Sequence, residues 1–131
     1  MSFVRRAGES PLVTATRLTA GAVFVVFGLG KFIDYDAELA SFRHYSLPLP
    51  EVMVIVIGVV ELAGGALLLA GRYVRPAAFV LAGDMLGAIV IAGLGRGEVF
   101  PSLTLAPALL VAMVVLLRQS RPLDRGVDGV V

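Results

Sequence analysis

Four long apolar runs occupy most of this sequence and leave few folds open to it. They cover residues 12–33, 52–71, 77–94 and 103–117. An α-helix rises about 1.5 Å per residue, so roughly 20 residues cross a hydrocarbon layer of about 30 Å. A single water-soluble domain of 131 residues has too little interior to bury so much apolar surface. We therefore predict an integral membrane protein.

The amino-acid composition limits the kinds of reactive and metal-binding site that the chain can form. Hydrophobic residues make up 58% of the chain, the mean hydropathy is +0.92, and cysteine is absent. Disulfides, thiolate nucleophiles and sulfur-ligated metals are thereby excluded, and one histidine, His44, is a poor supply of zinc or haem ligands. The net charge of +1 does not point to nucleic acid. We expect no metal, no intrinsic cofactor and no nucleic-acid partner.

The connections between the runs are short, which favours antiparallel neighbours. The expected fold is an all-α membrane protein, a four-transmembrane-helix up-down bundle forming one domain over residues 1–131. Its helices are expected at about 12–33, 52–71, 76–95 and 102–118, followed by a short cytoplasmic tail, 119–131.

The basic residues predict an orientation in a bacterial cytoplasmic (inner) membrane. With both termini in the cytoplasm, seven arginines lie inside and three basic residues lie outside, which agrees with the positive-inside rule. The inside set is Arg5, Arg6, Arg72, Arg75, Arg118, Arg121 and Arg125, and the outside set is Lys31, Arg43 and Arg96.

Arg17, Glu61 and Asp84 are ionisable and lie well inside the apolar runs, whereas Lys31 lies near the end of the first run. An unpaired charge at membrane depth costs from about 2.5 kcal/mol upward. Because arginine stays protonated, Arg17 needs an anion, and we expect it to extend toward Glu61. Asp84 then lacks a cation, and we expect it to be uncharged or to share the Arg17 network.

Helical spacing groups these charges with glycines. Arg17, Gly21, Phe24, Gly28 and Lys31 follow intervals of 4, 3, 4 and 3, so they share one face of the first helix. Small residues on such a face allow two helices to approach closely. The glycines predicted to pack helices together are Gly21, Gly28, Gly58, Gly65, Gly83 and Gly87.

Two interpretations of the buried charges remain open. The first is structural, in which the polar side chains tie helices together. The second is a ligand- or proton-handling site, with Glu61 and Asp84 as a proton relay. Candidate ligand-binding residues are Arg17, Phe24, Lys31, His44 and Glu61, where His44 belongs to the polar loop between the first two runs. The catalytic residues, if there are any, stay unassigned.

The combination of motifs resembles the DoxX family of small bacterial membrane proteins, over roughly residues 12–95. The matching positions are Arg17, Gly21, Phe24, the Gly28-Leu29-Gly30-Lys31 segment, Leu47-Pro48, the segment from Gly58 to Gly65, the segment from Leu67 to Gly71, Arg75, Ala77-Ala78, Met85 and Ala88. The resemblance implies a four-helix bundle in the cytoplasmic membrane. It also implies that Arg17, Lys31 and Glu61 match the charged signature of the family.

The function implied by the resemblance is a membrane subunit rather than an enzyme acting alone. Some members of the family are associated with quinone-linked sulfur oxidation, and others with membrane complexes that handle oxidative stress. The leading hypothesis is therefore a polar intramembrane pocket that binds a quinone-like or other lipophilic ligand in support of an oxidoreductase. Two alternatives stay open: a non-enzymatic assembly or chaperone-like factor, and a proton-coupled small-solute transporter. The expected partners are the lipid bilayer, a membrane oxidoreductase and further copies of the chain.

Overall fold

The computed structural model describes residues 8–97, 100 and 102–119, and all regular secondary structure in these residues is helical. The helices are α1 (Pro11–Ile33), α2 (Tyr35–His44), α3 (Pro50–Ala70), α4 (Val74–Gly87) and α5 (Leu105–Gln119), and α4 continues without a break into a π-helix (Ala88–Leu94). Arg5, Arg6, Glu98, Arg121, Arg125 and residues 120–131 of the predicted tail lie outside the described residues.

Local signals explain where the long helices begin and end. Ser10 caps α1, its Oγ accepting a hydrogen bond from the Val13 amide at 3.2 Å, and Pro11 occupies the first turn, where its missing N–H has no cost. Gly71 ends α3 in the left-handed conformation, at φ 72°, and its amide bonds to the Leu67 carbonyl at 2.9 Å.

Within the described residues, three helical segments are long and apolar enough to cross a membrane: Pro11–Ile33, Pro50–Ala70 and Val74–Leu94. The fourth apolar helix, α5, is shorter and begins at Leu105 rather than near residue 102. In the bundle α1 packs on α3, α3 on α4, α4 on α5 and α5 on α1, so α1 and α4 lie on one diagonal. The predicted all-helical membrane architecture is confirmed at this level.

The α1–α3 interface is the most extensive in the bundle, and glycines form its closest contacts. A Cβ added to Gly21 would lie 2.9 Å from the Gly65 carbonyl oxygen, and one added to Gly28 would lie 2.6 Å from the Leu62 amide nitrogen. On α3, a Cβ added to Gly58 would lie 3.0 Å from the ring of Phe32 and 3.1 Å from Lys31 Cβ, both on α1. Gly21 and Gly28 leave no room for a larger side chain, because real Cβ atoms do not approach backbone atoms so closely.

The expected packing role of Gly83 and Gly87 is not found. A Cβ added to either glycine would meet nothing within 4 Å among the described residues. The physical reason is that this side of α4 faces a cavity rather than a neighbouring helix.

Two apolar clusters flank that cavity. The larger one fills the part of the bundle away from α2 and includes Phe24, Leu68, Leu81 and Met113. The smaller one forms where α2 folds over α3, with Leu39 and Phe42 of α2 against Val54. We call the end of the bundle that carries α2 the α2 end.

Candidate ligand-binding site

A pocket of about 590 Å³ lies at the α2 end, within the size range of small-molecule sites. Most of its wall is apolar, with residues from all five α-helices and the π-helix. The side chains that bring polar atoms to it are Lys31, Glu38, Ser41, Tyr45, Glu61, Asp84 and Ser102. The pocket thus combines an apolar wall with a small set of charged and hydrogen-bonding groups.

Lys31 and Glu61 form a buried ion pair in this wall. Lys31 Nζ lies 2.9 Å from Glu61 Oε1, and the two side chains are 11% and 4% exposed. Lys31 is in the last turn of α1, where a lysine in a membrane usually extends outward to the interface. Here the ammonium turns back toward Glu61 near the middle of α3, following the lean of helical side chains toward their own N-terminus. The pair thus places both charges inside the bundle.

Two further acids act on the same ammonium. Glu38 Oε1 of α2 lies 3.7 Å from Lys31 Nζ, and Asp84 lies beside the Glu61 carboxyl, close enough to both groups for their charges to interact. Among the described residues, Glu61 Oε1 and Asp84 Oδ2 are buried and accept no aligned hydrogen bond, despite the short Lys31–Glu61 distance. The pocket therefore contains more hydrogen-bond acceptors than the side chains around it satisfy.

Arg17 belongs to a separate site at the other end of α1. Its Nη2 lies 3.2 Å from Glu9 Oε1, its Nε donates to Glu9 Oε2 at 3.3 Å, and the Thr14 hydroxyl donates to Glu9 Oε1 at 2.7 Å. Arg17 Nη1 donates to the carbonyls of Leu68 and Leu69, which end α3. A cation at a helix C-terminus satisfies carbonyls that have no partner within the helix.

The expected contact between Arg17 and Glu61 is therefore wrong. The glycine contacts explain why: Gly21 meets Gly65 and Gly28 meets Gly58, which sets the antiparallel register of α1 and α3. In that register Arg17 lies level with the C-terminal end of α3. Glu61 of α3 lies level with a later part of α1, close to Lys31. Arg17, fully buried with its anion, does not line the pocket.

Two other candidate ligand-binding residues also lie away from the pocket. Phe24 is fully buried in the larger apolar cluster, because it faces α3 at a level below the cavity. His44 is exposed at the end of α2, and its carbonyl oxygen accepts a hydrogen bond from Arg96 Nε at 3.0 Å. Arg96 Nη2 also donates to Ser46 Oγ at 2.8 Å, so Arg96 connects the end of the π-helix to the loop after α2. Of the five candidates, only Lys31 and Glu61 meet at the pocket.

Sequence reasoning missed Glu9, Glu38 and Ser102. Glu9 precedes the first apolar run, and the one signal for it is its position eight residues before an arginine inside that run. Glu38 lies in the polar stretch between the first two apolar runs, and the fold of α2 brings it against Lys31. No pattern in the sequence places the buried Ser102 in the pocket.

The pocket has the chemical features of a site for an amphiphile. In the described part of the chain no group of three or more histidine and acidic side chains could hold a metal ion. A lipophilic body fits the apolar wall, while Lys31, Glu61 and Asp84 can orient a polar head group by charge and hydrogen bonding.

Comparison with known proteins places the chain among membrane proteins. The DoxX family profile matches residues 12–94, more than half of the sequence. An uncharacterized membrane protein of Mycobacterium tuberculosis is 39% identical over 62% of this chain and 50% of its own length. The Bacillus subtilis protein named "Putative oxidoreductase CatD" is 35% identical over 56% of this chain and 54% of its own. The Escherichia coli "Inner membrane protein YphA" is 26% identical over 65% of this chain and 61% of its own.

The chain therefore spans about half to three fifths of the length of the curated relatives it matches. No solved structure matches it.

Proposed function

This chain belongs to the DoxX family of membrane proteins, and on that premise we propose that it binds a quinone-like lipophile in the pocket at the α2 end, as a membrane subunit that supports an oxidoreductase. The observation that carries the proposal is the mostly apolar cavity of about 590 Å³ with the buried Lys31–Glu61 pair and Asp84 in its wall. Such a cavity matches a ligand with a lipophilic body and a small polar head.

The exposure of two residues in the wall of the pocket supports the proposal that the ligand comes from the bilayer. Val26 and Ile91 line the pocket and are also 63% and 40% exposed on the surface of helices long enough to cross a membrane. A cavity whose walls reach the apolar surface of the bundle can hold a head group while a tail remains in lipid. Burial of the apolar body contributes about 25 cal/mol per Å² removed from water.

A redox partner is part of the proposal for two reasons. The name of the relative CatD contains the word oxidoreductase, and the matched region covers 56% of this chain. The sequence has no cysteine, so redox chemistry by the chain's own thiols is excluded, and the bound lipophile or a cofactor of the partner would carry the electrons. The role of this chain is then to hold and orient the ligand.

We further propose that four helices span the membrane with both termini in the cytoplasm. Arg72 and Arg75, in the connection between α3 and α4, then lie inside, as does Arg118 at the end of α5. The α2 end, with the pocket, faces the outside of the cytoplasmic membrane.

Ligand binding can be tested on the purified chain in lipid nanodiscs, using a ubiquinone analogue with a ten-carbon tail and empty nanodiscs to subtract partitioning. Gly87→Leu is the blocking variant, because Gly87 lines the pocket and a Cβ there meets nothing within 4 Å. We expect saturable binding that weakens at least about tenfold in this variant, since leucine fills space that the ligand needs.

Leu86→Phe is the matched control, since Leu86 is the adjacent residue, is 53% exposed and does not line the pocket. We expect it to bind like the wild type. Folded wild-type protein that takes up no more quinone than empty nanodiscs would refute the proposed function, as would a Gly87→Leu variant that binds like the wild type.

A further inference from the structure

We propose that the pocket selects head groups that donate hydrogen bonds, so that a quinol binds more tightly than the matching quinone. This inference rests on the proposed function and specifies the chemical class of its ligand. It follows from the imbalance between acceptors and donors in the wall of the pocket.

The acceptors come from two carboxyl groups on adjacent helices. Glu61 of α3 is 3% exposed, and the Lys31 ammonium 2.9 Å from its Oε1 is not aligned as a hydrogen bond. Asp84 Oδ2 of α4 is buried and has no donor in the described part of the chain. Both side chains line the pocket. A buried acceptor left without a donor is unfavourable, so a ligand that supplies donors gains more here than at a satisfied surface.

The donors are fewer. Lys31 provides the one ammonium among the described side chains that line the pocket, and its three N–H hydrogens face carboxyl groups with about four lone-pair sites each. The hydroxyls of Ser41, Tyr45 and Ser102 also line the pocket, but each adds one hydrogen together with lone pairs that themselves accept. Glu61 and Glu38 already share that ammonium, at 2.9 and 3.7 Å. One proton shared between Glu61 and Asp84 would reduce the excess of acceptors without reversing it.

A phenolic hydroxyl matches this wall better than a carbonyl. The hydroxyl donates its hydrogen to Asp84 Oδ2 or Glu61 Oε1, while its oxygen can accept from Lys31. A quinone carbonyl can only accept, so it competes with the two carboxylates for Lys31 and leaves their oxygens unsatisfied. The two-electron-reduced form of the same lipophile therefore fits the pocket more completely, with the same apolar body.

The experiment compares the two redox forms of one compound. Binding of a ten-carbon-tail ubiquinone analogue and of its quinol to the wild-type chain in nanodiscs is measured without oxygen, with empty nanodiscs to subtract partitioning. We expect the quinol to bind at least about tenfold more tightly, the effect of one added hydrogen bond to a charged group. In Asp84→Asn the amide can donate to Glu61, and we expect the preference to fall below about threefold.

Asp36→Asn is the matched control, because Asp36 is exposed on α2 and outside the pocket, and we expect it to keep the wild-type preference. Equal binding of both forms, or tighter binding of the quinone, would overturn this inference and leave the proposed function in place. An undiminished preference in folded Asp84→Asn would overturn the assignment to Asp84. Binding of neither form would refute the proposed function. The wild-type comparison needs no variant, so it is decisive even if Asp84→Asn does not fold.

Discussion

Lys31 of α1 and Glu61 of α3 place opposite charges 2.9 Å apart in the wall of an apolar pocket. Removing two such charges from water costs several kcal/mol per ion, and their attraction offsets this only where the geometry is good and other polar partners complete the site. Here Asp84 Oδ2, beside the pair, has no donor among the described residues. The proposed ligand would supply a hydrogen-bond donor at this position.

Glu61→Gln should strongly destabilise the protein. The substitution leaves the Lys31 ammonium with the more distant Glu38 and without its close anion, and breaking a buried pair in this way costs about 3–5 kcal/mol. The measurement is the midpoint of thermal unfolding in detergent, combined with the folded fraction from size-exclusion chromatography. Lys31→Met combined with Glu61→Gln should recover part of the loss, because no buried ammonium is then left without its close anion.

Glu51→Gln provides the control for Glu61→Gln. Glu51 pairs with Arg43 at 3.0 Å, but both side chains are more than half exposed, so water replaces the lost partner. We expect a much smaller change in the unfolding midpoint. Equal effects of the two substitutions would contradict the assignment of Lys31–Glu61 as a buried pair.

Arg17→Lys should destabilise the bundle without weakening quinone binding. Arg17 contacts both Glu9 oxygens and the Leu68 carbonyl at once, and a lysine ammonium cannot reproduce that planar set of donors. Loss of hydrogen bonds at this buried site should cost about 1–3 kcal/mol. Thermal unfolding measures the first effect and nanodisc binding the second. Weakened binding by folded Arg17→Lys protein would show that the two sites are coupled.

Gly28→Ala and Gly30→Ala should have opposite effects although the residues are two positions apart. A Cβ at position 28 would lie 2.6 Å from the Leu62 amide nitrogen and 2.9 Å from the Gly58 carbonyl oxygen, so α1 and α3 must separate. Overpacking of this kind costs about 1–3 kcal/mol. A Cβ at position 30 meets nothing within 4 Å, and alanine there should stabilise the helix by about 0.5–1 kcal/mol. Unfolding midpoints that change alike would contradict the close α1–α3 contact.

The proposed orientation predicts opposite labelling of two introduced cysteines. Because the chain has no cysteine, Asp36→Cys in α2 and Arg72→Cys between α3 and α4 each create a single thiol. In intact bacterial spheroplasts a membrane-impermeant thiol reagent should label the first and spare the second, which becomes reactive after lysis. The reverse pattern would place the termini outside.

Sequence periodicity predicted the helices and the shared face of Arg17 and Lys31, because one face of an amphipathic helix follows from spacing alone. It did not predict their partners. Partner choice depends on how far one helix is shifted along another, and here the contacts of Gly21 with Gly65 and of Gly28 with Gly58 set that shift. A turn of helix spans about 5.4 Å, so a small error in shift exchanges one anion for another.

A polar intramembrane pocket was among the hypotheses from the sequence, but its location and lining were not predictable, for a different reason. Gly83 and Gly87 have the spacing of a helix-packing motif, yet they face empty space, since small residues permit close approach without requiring it. The fold of α2, which brings Glu38 to Lys31, depends on contacts of Leu39 and Phe42 with Val54 that no local pattern encodes.

The π-helix Ala88–Leu94 makes the geometry of the α2 end depend on chain length as well as on residue type. Each π-type hydrogen bond encloses one more residue than an α-type bond. The extra residue is absorbed within this segment, whose residues Ala88, Ile91 and Ala92 line the pocket. Deleting one residue here would let the segment return to α-helix and would remove the bulge from the wall of the pocket. A one-residue deletion would thus change the shape of the pocket and leave the Arg17 site in place.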